Sequence, residues 1–200
     1  MYNKELVKTE TINLPTQFGT FLLTTYIVNL KDQPNMRYII VFQTQKMPEI
    51  PTIRIHSTCL FGETFHSMFC DCGEQFIKSL KLIARKQGIL FYLDQEGRGH
   101  GLINKILEYR FQEKGSDTIE ASQKLNLPID SRKYTMVAQI LELMGVNKVR
   151  LITNNPQKIA DLEKEGIKVV ERIVIKSTVN KYNYKYLKVK KEKLHHLINI

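Results

Sequence analysis

The apolar pattern of this chain changes character once, after Cys72, and that switch limits the folds open to it. Before it, residues 5–14, 19–29, 37–43 and 52–56 are short stretches rich in Val, Ile, Thr, Tyr and Phe. Pro15, the Asp32-Gln33-Pro34-Asn35 cluster and Pro48 separate them. Such stretches predict a mostly antiparallel sheet or a small barrel. Beyond the switch, Phe76, Ile77, Leu80, Ile83 and Ala84 share one helical face, and Gly88 stands where a helix C-cap belongs. A buried strand over 89–93, a glycine-rich turn and a helix over 102–114 follow. A helix over 133–144, a strand over 148–153, a helix over 156–165 opened by Pro156 and a strand over 167–175 continue the alternation. Tyr182, Tyr184 and Tyr186 alternate as in an edge strand, and a short basic helix closes the chain. The expected fold is α/β (α+β): N-terminal, mostly antiparallel strands, then alternating strands and helices, in one compact domain over residues 1–200.

Charge narrows the partners. The net charge is +10, but residues 176–200 hold seven lysines and one glutamate, so this basic C-terminal segment alone supplies +6. The remaining +4 suits an anionic metabolite at least as well as nucleic acid. A solvated basic tail that aids solubility is the plain reading of the segment. No apolar run approaches the roughly 18 residues of a membrane span, and residues 1–10 contain no secretory apolar stretch. The chain reads as cytoplasmic, with no membrane partner.

Its three cysteines, Cys59, Cys70 and Cys72, lie within fourteen residues as C-x10-C-x-C. Three clustered thiolates suit one soft cation, and zinc is the usual one in a reducing compartment. Three protein ligands leave the fourth position for water, as in catalytic zinc sites, and a zinc-activated water predicts hydrolysis. A closed site completed by His56 or His66 is the alternative. The H-x-E and P-C-x-x-C signature of nucleobase deaminases is absent.

Glu96-Gly-Arg-Gly-His-Gly101 joins an expected strand to an expected helix, a place where backbone amides and Arg98 can meet an anion. It is neither a Walker A loop nor a dinucleotide fingerprint. Asp130-Ser-Arg132 precedes a helix and Thr153-Asn-Asn-Pro-Gln-Lys158 joins a strand to one. Taken singly, Asp130 reads as an N-cap and Lys158 as a solvated lysine. Together, Arg98, Arg132 and Lys158 at three such junctions predict a polyphosphate site.

These residues bear a family resemblance. Arg54-Ile-His-Ser-Thr-Cys59, Cys70-Asp-Cys-Gly-Glu-Gln75, Gln95-Glu-Gly-Arg-Gly99, Asn104-Lys105 with Tyr109, Asp117-Thr118, Asp130-x-Arg132 and Leu151-Ile-Thr-Asn-Asn-Pro156 resemble GTP cyclohydrolase II in order and spacing over residues 5–195. The single-function form is the one resembled, since no dihydroxybutanone phosphate synthase domain precedes the motifs.

The resemblance implies hydrolysis of GTP to formate, pyrophosphate and 2,5-diamino-6-(5-phospho-D-ribosylamino)pyrimidin-4(3H)-one, the first step of riboflavin biosynthesis. It makes Cys59, Cys70 and Cys72 zinc ligands, with one Zn(2+) per chain. Arg54, Ile55, His56, Ser57, Thr58, Gln75, Glu96, Gly97, Arg98, Thr118, Thr153 and Lys158 become GTP contacts. Tyr109 assists the ring chemistry, Asp130 accepts a proton, and Arg132 acts at the α-phosphorus as nucleophile or charge stabiliser. Mg(2+) on the phosphates and a homodimer are also implied.

Thr58, Phe61, Glu63 and Asp94 depart from the residues common in the family, which are Glu, Thr, Asp and Arg. The competing expectations are a family member that stops at a formylated pyrimidine or at GMP, and a zinc-stabilised nucleic-acid-binding module. No nucleic-acid fold signature supports the latter.

Overall fold

Strand pairing follows the apolar pattern closely. In the computed structural model, which describes residues 6–29, 31 and 34–200, β1 (Leu6–Thr16), β2 (Gly19–Val28) and β3 (Tyr38–Gln43) form an antiparallel meander. β4 (Thr52–Ser57) leads through a short α1 (Leu60–Glu63) and α2 (Cys72–Lys86) to β5 (Gly88–Leu93). A 3-10 turn (Glu96–Gly99), α3 (Gly101–Glu113), α4 (Thr118–Lys124) and α5 (Thr135–Leu143) precede β6 (Lys148–Ile152). α6 (Pro156–Lys164), β7 (Lys168–Ile173) and α7 (Tyr184–Glu192) complete the order.

All seven strands make one sheet, β1-β2-β3-β5-β4-β6-β7, so the N-terminal strands extend the α/β layer and close no separate barrel. The expected α/β class holds. β5, β4, β6 and β7 run parallel, while β3 meets β5 antiparallel.

Both faces of the parallel part are covered, as parallel sheets require. Ile53 and Ile55 of β4, Ile89, Phe91 and Leu93 of β5, and Val149 and Leu151 of β6 pack with Val137, Ile140 and Leu141 of α5 and Leu162 of α6. On the other face, Leu90 and Ile152 pack with Leu80 and Ile83 of α2. Period 2 along β4 therefore sends Arg54 and His56 to the α2 face, away from Ile53 and Ile55.

Several local expectations are corrected. Pro15 lies within β1, opposite Thr20. β1 is an edge strand, where a missing N–H costs no ladder bond. The left-handed residue ending α2 is Gln87 (φ 57°), and Gly88 opens β5. There a Cβ would lie 1.9 Å from the Thr52 carbonyl oxygen, so glycine serves close strand approach.

α4 had no apolar stripe to announce it. Its signal is the capping box of Asp117 and Glu120, whose carboxylates accept from the Ile119, Glu120 and Asp117 amides. The tyrosine alternation is a turn followed by α7. Asn180 and Asn183 accept from nearby backbone amides and wind the chain into the helix. Glu5, Asp32 and Gln33 lie outside the described residues. No helix among those described is long and apolar enough to cross a membrane.

Candidate active site

In an open parallel sheet, ligands sit beyond the carboxyl ends of the strands where successive connections leave in opposite directions. Here that point is the end of β4, because its neighbours β5 and β6 lie on either side of it. Ser57 to Cys59 leave β4 there, Gln95 to Arg98 leave β5, and Thr153 to Asn155 leave β6. Two adjoining compartments open at this point, of about 80 and 90 Å³, sharing Ser57, Cys72, Arg98, Arg132 and Tyr186.

The first compartment is cationic. Arg54, Arg98, Arg132, Lys158 and Lys190 line it, with His56, Gln75 and Thr153. Arg54 is 5% exposed and donates to the Ile152 carbonyl (3.1 Å) and to Gln75 Oε1 (2.6 Å). Lys158 is equally buried and donates to the Ile55 carbonyl (2.8 Å). Arg98 Nη1 reaches only the Ile129 carbonyl. Among the described residues, none of these three cations has a carboxylate at ion-pair distance.

Burial, then repulsion from Arg54 and Arg132, pushes the Lys158 pKa well below its ordinary value. Burial likewise lowers Arg54 to about 10. Unpaired cations held together out of water mark a site that an anion completes.

The second compartment holds the thiols. Cys59, Cys70 and Cys72 are free, and their sulfurs lie within 4.8 Å of one another. No histidine or carboxylate joins them among the described residues. His66 is exposed, and His56 Nε2 is engaged by Glu63 at 2.9 Å. The set is thus an open three-thiol cluster that can hold a metal ion, not a closed four-ligand one.

Protons shared from Cys70 and Cys72, then the Lys105 ammonium 3.2 Å away, keep Cys59 a thiolate with its pKa lowered to about 3. Lys105 also binds Glu96 Oε1 at 2.7 Å, and Glu96 Oε2 accepts from the Leu60 amide. Burial opposes the charge on Lys105, yet Cys59 and Glu96 raise its pKa above the ordinary value.

Tyr109 lines this compartment beside Phe61 and Phe69, each ring 5.7 Å away. Burial raises its phenol pKa, so the proton stays on. Thr58 and Thr118 complete this wall.

The turn between the two compartments is conformationally demanding. Gly97, Arg98, Gly99 and Gly101 all have positive φ, 57°, 57°, 88° and 83°. Arg98 is the residue among them with a side chain to strain, at about 1–2 kcal/mol, and it lines both compartments.

Asp130 is not a helix cap, since α5 begins after Tyr134. Its carboxylate grips Arg132 in a fork, Nε to Oδ1 at 2.9 Å and Nη2 to Oδ2 at 2.5 Å. Burial notwithstanding, Arg132 holds Asp130 below the usual carboxylate range. Asp130 itself lines a neighbouring cavity outside the two compartments. Ile55 also stays outside them, with its side chain in the core and only its carbonyl contributing, through Lys158.

The departures have structural roles. Thr58 Oγ1 donates to the Leu93 carbonyl, fastening the β4 exit to β5. Glu63 accepts from the Cys59 amide (2.8 Å) and Tyr92 Oη (2.7 Å) as well as from His56. Asp94 pairs with Arg37 at 3.1 Å.

Sequence reasoning missed the part played by Lys105 and everything that α7 and the residues after it bring. Tyr186, Lys190, Leu194 and His196 line the cationic compartment, so the segment packs over the site through Lys190, while its six other lysines are exposed as in a solvated tail. The available signal was helical spacing, with Tyr186 and Lys190 four residues apart on one face.

Fold and site together define an α/β protein of the open-sheet kind, with a metal-competent thiol cluster beside a cationic cleft. Residues 7–174 match the GTP cyclohydrolase II family, and the chain belongs to it. It is 44% identical over 188 residues to GTP cyclohydrolase-2 of Haemophilus influenzae, a match covering 93% of this chain and 86% of that one. It is 45% identical over 192 residues to riboflavin biosynthesis protein RibBA of Aquifex aeolicus, and 43% over 190 to RibBA of Bacillus cytotoxicus. Those matches take in 95% and 94% of this chain but 47% of each relative, so the chain spans about half the length of the RibBA proteins.

Proposed function

We propose that the protein is a cytoplasmic, homodimeric GTP cyclohydrolase II. It opens the imidazole ring of GTP at C8, releasing formate and pyrophosphate to leave the 2,5-diamino-6-ribosylaminopyrimidinone 5′-phosphate. One juxtaposition carries the reading: three thiols fit for a soft cation and a cleft of five cations, of which Arg54, Arg98 and Lys158 have no carboxylate partner among the described residues, meet at one strand end, sharing Arg98 and Arg132. A guanosine triphosphate has its electrophilic ring carbon at one end and about four negative charges at the other.

Cys59, Cys70 and Cys72 would hold Zn(2+), which supplies Lewis acidity and an activated water for attack at C8. Around that site, Lys105 keeps Cys59 ionised and Glu96 fixes Lys105. Tyr109 presents a protonated phenol to the base, with Thr58, Thr118 and Gly97 shaping its wall.

Arg54, Arg98 and Lys158 bind the phosphates, which also carry Mg(2+). His56, Ser57, Gln75 and Thr153 position the sugar and phosphate end. Arg132 stays charged: burial opposes this, but Tyr134 and Asp130 raise its pKa above the ordinary value. A guanidinium so held is a poor nucleophile. Arg132 is therefore the group that stabilises charge on the α-phosphoryl, oriented by Asp130, which takes up a proton when substrate draws Arg132 away.

The test is incubation of zinc-loaded protein with GTP and magnesium, following formate, pyrophosphate and the aminopyrimidine together. All three are expected, with Arg132→Ala abolishing pyrophosphate release and Arg132→Lys recovering part of it. Accumulation of a formylated pyrimidine or GMP would replace this reading with that of an enzyme that stops early. No product from GTP, together with salt-sensitive nucleic-acid binding, would overturn it.

A further inference from the structure

The cationic compartment is closed on one side by residues that none of the sequence motifs includes. α7 and the chain after it place Tyr186, Lys190, Leu194 and His196 in its wall, and Tyr186 reaches the thiol compartment as well. The segment is fastened round the cleft by polar ties to three separate elements. Ser177 Oγ and Lys190 Nζ (2.9 Å) bind Asp71 at the start of α2, and Lys193 binds Asp117 at the start of α4. The Leu197 amide donates to the Asn154 carbonyl at 2.8 Å. Its buried apolar residues, Leu187, Val189 and Ile198, belong to neither of the two main core clusters.

Size gives the second observation. Pockets that enclose a drug-sized ligand run to about 300–1,000 Å³, whereas the two compartments measure about 80 and 90 Å³. With the segment docked as it is, neither compartment alone is large enough to enclose a nucleoside triphosphate, and residues of the segment also wall the two larger cavities beside them, Leu194 and His196 in one and Tyr182, Tyr186 and Val189 in the other. The surrounding strands are tied into a seven-stranded sheet, while the segment is held by one buried pair, Lys190 with Asp71, and by exposed ties such as Lys193 to Asp117 and Thr178 to Glu74. The exposed ties are individually weak, and the buried one is made by a cation that phosphate can draw away, so the segment is the part able to yield.

We propose that residues 177–198 form a lid that opens to admit the nucleotide and closes over it, and that Lys190 and Tyr186 are substrate-contacting residues carried by this lid. The inference rests on the nucleotide reading above. Lys190 faces the same space as Arg54, Arg98, Arg132 and Lys158 and adds a fifth cation for the phosphates. When it turns to them, Asp71 keeps Gln75 and Ser177 as donors. Tyr186, at the junction of the two compartments, meets the nucleoside part.

The experiment uses the full-length, zinc-loaded chain, with inorganic tripolyphosphate and GTP as probes. Tripolyphosphate is expected to slow tryptic cleavage within residues 177–198. Lys190→Gln should weaken tripolyphosphate binding and raise KM for GTP, each by about tenfold or more, with kcat little changed, and Lys190→Arg should restore both.

Tyr186→Leu retains both partners of the Lys190–Asp71 pair, removes the ring 4.4 Å from Lys190 Nζ and guards against a folding artefact. It should raise KM for GTP about tenfold while weakening tripolyphosphate binding far less than Lys190→Gln does. Wild-type affinities and KM in both Lys190→Gln and Tyr186→Leu would overturn the proposal, as would lid cleavage indifferent to tripolyphosphate. If the wild type fails to turn over GTP yet Lys190 governs tripolyphosphate binding and protection, the assigned reaction falls and the lid stands. Normal turnover of GTP with both residues indifferent removes the lid alone.

Discussion

Gly62→Ala puts a methyl group where the three thiols meet. Gly62 is buried in α1, and a Cβ there would lie 2.8 Å from Cys70 Sγ, 3.2 Å from Cys59 Sγ and 3.3 Å from Cys72 Cβ. Ordinary heavy-atom contact is about 3.5–4.0 Å, so Cys70 must retreat by most of an ångström and its two partners by a few tenths. Overpacking of this kind costs about 1–3 kcal/mol, several degrees of melting temperature for a chain of this size. Metal sites tolerate far less, since ligand distances must stay within about 0.2 Å of ideal. Zinc affinity should therefore fall by orders of magnitude while the sheet remains folded.

The matched control is Gly115→Ala. Gly115 has φ +99° and nothing within 4 Å of its would-be Cβ. Backbone strain there costs about 1–2 kcal/mol, so stability drops similarly and zinc is untouched. Zinc content by elemental analysis, chelator competition and thermal unfolding with and without chelator separate the two. Wild-type chelator resistance in Gly62→Ala would show that the thiols do not close round this position, and the metal site as described would be refuted.

Two further outcomes follow from single contacts. Glu63→Ala strands three donors, those of buried Cys59 and His56 and half-buried Tyr92. At about 1–3 kcal/mol for each unsatisfied group, it should destabilise at least twice as much as Glu63→Gln in denaturant melts, and equal effects would remove Glu63 as the anchor of the Cys59 turn. His196 is held neutral among cations, its pKa lowered to about 3 by burial, then by Lys190, Arg132, Lys158 and Arg98. Its folded pKa lies below the unfolded value of about 6.5, so lid docking is complete above that pH and weakens toward pH 3, by at most about 1.4 kcal/mol per unit. Hydrogen exchange in residues 184–198 should rise over this window in the wild type and less in His196→Gln.

What the sequence made legible was whatever a strand end or a turn places by itself. Arg54 and His56 alternate with Ile53 and Ile55, so period 2 along β4 already assigns them to the opposite face. The C-x10-C-x-C spacing needs only α1 and the start of α2 to bring its sulfurs within 4.8 Å. Ile55 shows the complementary case: it sits inside a motif, yet its own period sends the side chain into the core and leaves its carbonyl to Lys158.

The lid was illegible because its meaning lies in contacts across the chain, such as Lys190 with Asp71 at a separation of 119 residues. Seven lysines have the same composition whether they face water or a phosphate. What distinguishes Lys190 is that Tyr186 stands one turn before it on the same helix face and that Asp71, 2% exposed, attracts it at 2.9 Å. A buried carboxylate at the start of one helix thus determines which lysine of a basic run turns inward, and that lysine arrives in a cleft where Arg54, Arg98 and Lys158 have, among the described residues, no carboxylate to balance them.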